Sequence, residues 1–188
     1  MPNRRQLIAT GLAAALPLPA MAQVPLTLQN GRWRIDIVPQ TLALTVTANS
    51  QAVPVSRGVA SHAVADLVQT ANGASWNWNG GYTVTCALDG DDFRVDITAT
   101  TTGALDILDQ PGTAFGKGLI YPRAEGHYAP AGDPVWIPFL AGHDPIDTTQ
   151  DLSLPLWGQD HGDFVLAWLL LNPFNNEIAF APTAARSA

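Results

Sequence analysis

Apolar and polar residues alternate along much of the first hundred residues of this chain. The alternation is clearest at residues 32–37, 42–47, 82–88 and 93–98. Because successive side chains of a strand point to opposite faces, each of these segments has one apolar face and one polar face. The pattern predicts antiparallel strands that bury one face and expose the other to solvent.

Turn signals separate these segments. Asp-Gly-Asp-Asp at 89–92 joins two alternating segments, and an Asp-Gly pair in that position is a strong hairpin signal. Asn-Gly-Gly at 79–81 is a second break, and no segment has the period and caps of an amphipathic helix. We therefore predict an all-β fold, a single antiparallel β-sandwich of the supersandwich kind over residues 23–181.

The second half of the chain departs from the alternation. Residues 110–163 are rich in proline, glycine and aspartate, which predicts long ordered loops between short strands. The next segment, Phe-Val-Leu-Ala-Trp-Leu-Leu-Leu at 164–171, is apolar on both strand faces. Such a strand is either central in the core or has an outer face that meets another domain. Residues 182–188 have no strand pattern and are predicted to be a disordered tail.

Residues 1–22 have the features of an export signal peptide. Arg4 and Arg5 precede an apolar stretch, and Ala-Met-Ala at 20–22 is a small-x-small cleavage pattern. The adjacent arginines resemble a twin-arginine signal, and an ordinary secretory signal is the alternative. The apolar stretch is shorter than the roughly 20 residues that cross a bilayer. We therefore expect a periplasmic or secreted protein without a membrane span.

Charge and cysteine content narrow the classes of function. The chain has 188 residues and a formal net charge of −7, and an acidic protein is a poor partner for nucleic acid. Its one cysteine, Cys86, cannot form a disulfide within the chain, and its place on an apolar strand face favours an inert core thiol. P-loop and dinucleotide-binding motifs are missing. We predict no nucleic-acid partner and no cofactor, with calcium as the alternative discussed next.

The stretch Gly-Gln-Asp-His-Gly-Asp at 158–163 is the most chemically suggestive in the chain. Aspartate and glycine are common in strand connections, so a hairpin loop explains these residue types. A calcium site is the sharper alternative, because calcium takes several oxygen ligands. The regular aspartate spacing and closing glutamate of a calcium loop are missing, however, and the histidines lack the spacing of a zinc motif.

Six tryptophans are the other candidate binding groups. Rings of this size fill cores and interfaces, and exposed rings can also stack on sugars. Two of them flank the acidic loops. The candidate carbohydrate-binding residues are Trp136, Trp157, Glu125, His127, Asp160 and His161. No pair of carboxylates can be assigned as acid and nucleophile, so we predict neither a catalytic residue nor a metal ligand.

Four stretches carry a family resemblance. They are Ile-Tyr-Pro-Arg-Ala-Glu-Gly-His-Tyr-Ala-Pro at 120–130, Asp-Pro-Val-Trp-Ile at 133–137, Asp-Leu-Ser-Leu-Pro-Leu-Trp-Gly at 151–158 and Asn-Pro-Phe-Asn-Asn at 172–176. With the early strands, they resemble the N-terminal β-sandwich of secreted bacterial glycoside hydrolases. There the sandwich precedes a (β/α)8 barrel, which the resemblance implies would hold the catalytic carboxylates. This chain stops soon after the sandwich, so we expect a domain without its barrel, from a short or truncated chain.

The resemblance implies a non-catalytic domain that shapes a sugar-binding cleft through loops 123–163. Its expected partner is a carbohydrate or a missing catalytic domain, and the apolar segment at 164–171 would face that domain. Two alternatives stay open. One is an independent secreted carbohydrate-binding module that uses Trp136 and Trp157. The other is a sugar epimerase with a histidine and a glutamate as acid and base.

Overall fold

A computed structural model describes residues 25–110, 116–121, 126–142, 146–172, 174 and 177–178. The predicted signal peptide at 1–22, the predicted tail at 182–188 and the candidate residue Glu125 lie outside these described residues. Within them, no helix has the length and apolar character needed to cross a membrane.

Two four-stranded antiparallel sheets form the sandwich that the alternation predicts. The first has the order β1-β2-β3-β4 and the second the order β5-β6-β7-β8, so each strand pairs with its neighbour in the chain. The strands are β1 (Leu26–Gln29), β2 (Trp33–Val38), β3 (Ala43–Ala48), β4 (Gln51–Ser56), β5 (Val64–Gln69), β6 (Gly73–Trp78), β7 (Tyr82–Asp89) and β8 (Asp92–Ala99). The predicted Asp-Gly hairpin joins β7 to β8, and Asp89 pairs with Asp92 across it. The all-β antiparallel fold is therefore confirmed.

The apolar faces of these two sheets enclose the main core. Ile37 and Val84 are completely buried, and only 1% of the Trp76 surface is exposed to solvent. Cys86 also lies in this core, where burial, with a smaller contribution from Asp96, raises the pKa of its thiol to about 12. A thiol with such a pKa is not a nucleophile at neutral pH. The inward positions are thus those that the period of two predicts.

A third sheet follows in the region predicted to be mostly loop. It contains the antiparallel pairs β9 (Gly118–Tyr121) with β10 (His127–Pro130) and β12 (Leu156–Asp160) with β13 (Val165–Leu169). The two pairs lie side by side with β9 next to β12, and the Lys117 N–H donates to the Asp160 carbonyl at 2.6 Å. Two short strands, β11 (Ile146–Asp147) and β14 (Glu177–Ile178), pair separately.

A second, smaller core lies under the third sheet. Its buried members are Leu119, Tyr121, Ala129, Ile146, Leu152 and Trp157. Leu108 and Trp168 contact both this cluster and the main core, so the two cores are continuous. The third sheet is thereby attached to the sandwich through apolar contacts.

A short helix, α1 (Trp136–Ala141), lies where the sequence predicted a loop. The Asp133 carboxylate caps it, accepting hydrogen bonds from the Val135 N–H at 2.8 Å and the Trp136 N–H at 2.7 Å. Aspartate followed by proline is a favourable helix start, because proline lacks the N–H that a first turn leaves unpaired. Six residues are too few to show a helical period, so the Asp133-Pro134 pair is the one signal of this helix in the sequence.

The doubly apolar segment at 164–171 forms the third-sheet strand β13. Leu166 and Trp168 pack against the main core, whereas Val165 and Leu169 point outward and are 49% and 58% exposed. Among the described strands, β13 pairs only with β12. The alternative that places this strand in the centre of the core is therefore wrong, because only one of its faces is covered.

Candidate functional site

The outward side of the third sheet is a mostly apolar surface that we call the outer face. It is formed by Ile120, Tyr128, Leu156, Val165, Ala167 and Leu169. The strand register places these side chains on one side, since Tyr128 pairs with Ile120 and Leu156 with Leu169. Within the described residues, nothing covers Val165, Leu169 or Tyr128, which are each about half exposed.

Two glycines keep the middle of the outer face flat. A Cβ at Gly118 would lie 2.6 Å from Cζ of Tyr128, and a Cβ at Gly158 would lie 3.1 Å from the Ile120 side chain. A side chain at Gly118 would therefore push the tyrosine ring away, and a side chain at Gly158 would press on Ile120. The missing side chain at Gly118 lets Tyr128 extend across β9 towards β12.

A polar group closes one end of the outer face. The Tyr128 hydroxyl donates to Oδ2 of Asp160 at 2.8 Å, and the Gly162 N–H donates to Oδ1 at 2.8 Å. The hydrogen bonds from Gly162 and Tyr128 hold the pKa of Asp160 below its usual range, and Lys117 and His161 contribute smaller electrostatic effects. The same hydrogen bond raises the pKa of Tyr128. The carboxylate is thus ionised, with both oxygens engaged by protein donors.

His161, the neighbour of Asp160, points to the opposite side of the strand. Its ring is buried, stacks on Phe164 with centroids 5.0 Å apart, and has no hydrogen-bond partner for Nε2 within the described residues. Burial lowers the pKa of His161, and Asp160 opposes this shift more weakly. The two most suggestive residues of the sequence are therefore separated by the pleat, with Asp160 at the surface and His161 inside.

The hairpin interpretation of residues 158–163 is confirmed in outline. The His161 N–H donates to the Phe164 carbonyl at 3.0 Å and closes the connection between β12 and β13. Gln159 and Asp160 belong to the strand itself rather than to the loop. Within the described residues, no group of three or more histidine, cysteine, aspartate or glutamate side chains lies close enough to hold a metal ion.

Trp157 does not present a face to solvent. It is only 5% exposed, and its ring is stacked on that of Trp168 with centroids 6.0 Å apart and planes 10° from parallel. Its Nε1–H donates to Oε1 of Gln110 at 3.2 Å. Stacking of this tryptophan on a sugar would require the ring to leave the second core, so this structure argues against that role.

A buried polar network that the sequence analysis did not single out surrounds Trp157. Gln159 is completely buried, donates to Oε1 of Gln110 at 3.2 Å and accepts from Nε1–H of Trp168 at 2.8 Å. A period of two, carried on through residues 157–161, places Trp157, Gln159 and His161 on one strand face. The sequence could therefore have predicted that Gln159 faces inward, because its strand face follows from the same alternation that predicted the sandwich.

His127 and Trp136 come together on the inner side of the third sheet. Their ring centroids are 4.4 Å apart, and Trp136 also meets Phe139 edge to face at 5.4 Å. Trp136 packs against the second core, and neither ring shares a hydrogen bond or ring contact with Asp160 or His161. The candidate residues thus fall into separate groups rather than one cleft, and Glu125 lies outside the described residues.

Comparison with known proteins gives no significant match among protein-family models, curated protein sequences or solved structures. The resemblance to the sandwich domains of glycoside hydrolases therefore remains a prediction.

Proposed function

We propose that this chain is a non-catalytic β-sandwich domain of a secreted carbohydrate-active enzyme, related to glycoside hydrolases, and that its outer face docks on the catalytic domain. The outer face is the observation that carries the proposal. An apolar, flat and solvent-exposed sheet face is typical of a surface that another domain covers, because leaving it in water forfeits the free energy of burial.

The composition of the outer face fits an interface between domains. Its centre, from Ile120 across Leu156 to Leu169, contains no charged side chain. Asp160 borders the outer face at one end, where it accepts a hydrogen bond from Tyr128. An uncharged centre with a polar rim is the usual arrangement of protein–protein interfaces, since burying an unpaired charge is costly.

The genomic DNA that surrounds the coding sequence provides the first test. We expect a (β/α)8 domain to be encoded next to it, in the same or a shifted frame, as the resemblance implies. Unrelated genes on both sides, with no such domain, would contradict an accessory role in one enzyme. This test does not depend on how the isolated chain behaves.

An independent carbohydrate-binding module is the second candidate, and Tyr128 is the observation that favours it. Its ring is 47% exposed and lies beside the Asp160 carboxylate, so a stacking surface and a hydrogen-bond acceptor stand together. This pair would replace Trp136 and Trp157, which both pack inward. The described residues give an epimerase no such support, because the His127 ring packs on Trp136.

Binding to a panel of polysaccharides and free sugars, with and without calcium, separates the two candidates. A module should bind a sugar by itself, lose binding in Tyr128→Ala and keep it in Trp136→Ala. An accessory domain should bind none of them. Loss of binding in Trp136→Ala alone would instead indicate that the sugar binds at the loops of residues 123–163.

A further inference from the structure

We propose that His161 is a pH-sensitive latch that holds the β12–β13 hairpin against the sandwich only while its imidazole is neutral. This inference goes beyond the proposed function, because it concerns how the third sheet is attached rather than what its outer face binds. It rests on the contacts of one short connection, residues 161–164.

The connection links the third sheet to the main core through contacts between three aromatic rings, one stacked and one edge to face. The His161 ring stacks on Phe164 with planes 24° apart, and Phe164 meets Trp33 of β2 edge to face at 5.9 Å. Phe164 is buried in the main core even though it belongs to the hairpin. A disturbance at His161 is therefore passed directly to the contact that anchors the hairpin.

The surroundings of His161 are suited to a neutral ring and not to a charged one. The residue is 8% exposed, and Nε2 is buried with no hydrogen-bond partner among the described residues. On the other edge, the backbone approaches so closely that a Cβ at Gly116 would lie 2.9 Å from Nδ1. Protonation would place N–H donors on both ring nitrogens, and at least the one on Nε2 would be left buried and unpaired.

Few charged groups lie around the latch. Asp160 precedes His161 and favours the protonated ring, and the backbone N–H of Lys117 bonds to the Asp160 carbonyl. On the far side of Phe164, the Nε1–H of Trp33 donates to Asp91, and Cζ of Arg32 lies 5.2 Å from the centroid of the Trp33 ring. Arg32 and Asp91 also form an ion pair that is exposed to solvent. Burial is the largest influence on the pKa of His161 and moves it below the ordinary value of 6.5.

The lowered pKa of His161 determines how the stability of the latch changes with pH. When the hairpin is released, His161 regains its ordinary pKa and binds a proton more readily than in the latched state. The stabilisation by the latch is therefore complete above pH 6.5 and is lost as the pH falls from 6.5 towards the lower pKa of the folded state. Acidification favours release of the hairpin and exposure of the inner side of β13.

Hydrogen exchange of the backbone amides in the 188-residue chain, corrected for intrinsic rates, tests the proposal between about pH 7.5 and about pH 5. We expect protection of residues 156–169 to fall with acid in the wild type. It should stay constant in His161→Phe and in His161→Gln, neither of which titrates. The control is His62→Phe, because His62 also stacks on an aromatic ring, Trp78, at 4.4 Å but is only half-buried. That variant should keep the acid response.

Two results would overturn the latch. One is a loss of hairpin protection with acid in both His161 variants that equals the loss in the wild type. The other is available without any substitution, by following the His161 imidazole signals in an NMR titration of the wild type. A titration midpoint at or above 6.5 would show that burial does not disfavour the charged ring, and the latch would then have no driving force.

Discussion

The sandwich and the third sheet are built by the same chain in different ways. In the sandwich, every strand pairs with its neighbour in sequence, and the core is assembled from alternating apolar positions. In the third sheet, β9 lies beside β12, although β10, α1 and β11 come between them in the chain. Its interior also contains the buried Gln159 amide and the His161 imidazole. The strands of the sandwich thus pair with their sequence neighbours over an apolar core. In the third sheet, strands that are distant in sequence lie side by side over a core that is partly polar.

This contrast predicts unequal stability. Burial of apolar surface stabilises the sandwich whatever the detailed geometry, because the hydrophobic effect is not directional. A buried amide network stabilises only when its partners are in place, and each lost partner leaves a desolvated group. Both regions leave buried polar atoms without a partner among the described residues, Nε2 of Gln110 and of His161 by the third sheet and Nε1 of Trp76 and Oε1 of Gln40 in the sandwich. The buried amide network of Gln159 and Gln110 is what distinguishes the third sheet, so we expect the third sheet to open before the sandwich does.

The largest expected effect comes from removing a side chain from the main core. Ile37→Ala should destabilise the whole chain by about 2–5 kcal/mol, because Ile37 is completely buried on the second strand of its sheet. The matched variant is Leu119→Ala in the second core, where Leu119 is 3% exposed. It should increase hydrogen exchange in the third sheet and leave β6 and β7 protected. Equal loss of protection in both regions would show that they unfold as one unit.

Two glycines with similar backbone angles provide the second test. Gly116 and Gly90 have φ values of 58° and 56°, but a Cβ at Gly116 would contact the Asp160 carbonyl oxygen, whereas one at Gly90 would meet nothing. Gly90→Ala should cost about 1 kcal/mol for the left-handed conformation alone. Gly116→Ala should cost about 1–3 kcal/mol more, measured by urea unfolding, since the junction of β9 and β12 must move. Similar costs for the two variants would mean that this junction is not tightly packed.

The smallest of the three effects is expected from the buried amide network. Gln159→Leu removes the acceptor for Trp168 and a donor to Gln110, and should cost about 1–3 kcal/mol. The loss should appear as faster exchange in β12 and β13, with the Cys86 thiol still unreactive in the sandwich core. A stabilised variant would show that the hydrogen bonds of Gln159 are worth less than the apolar contacts that leucine gains.

The sandwich could be predicted from sequence because its determinants are local. The alternation at 32–37 and the Asp-Gly turn before β8 each specify a strand or a turn within a few residues. The Asp133-Pro134 start of α1 was equally local, but six helical residues leave no period to detect. The prediction of one antiparallel sandwich therefore succeeded where each element could be recognised alone.

The candidate site was predicted less well because its geometry is non-local. Trp157 looked like a binding residue beside an acidic loop, yet the pairing of β12 with β13 turns it against Trp168. Tyr128 reaches Asp160 only because Gly118 leaves room between them, which no spacing along the chain reveals. Asp160 was predicted as a carbohydrate-binding residue, and that role stays a prediction. Its hydrogen bond with Tyr128 could only come from the structure.

If the proposed (β/α)8 domain is encoded beside this chain, calorimetric titration of that domain with the 188-residue chain tests the docking role of the outer face most directly. Leu169→Lys, at the 58% exposed leucine of β13, should weaken binding at least tenfold, since burying one leucine is worth about 1.5–3 kcal/mol. The matched control, Leu67→Lys, replaces a 47% exposed leucine of β5 and should bind like the wild type. Equal affinities for the wild type and both variants would contradict the account.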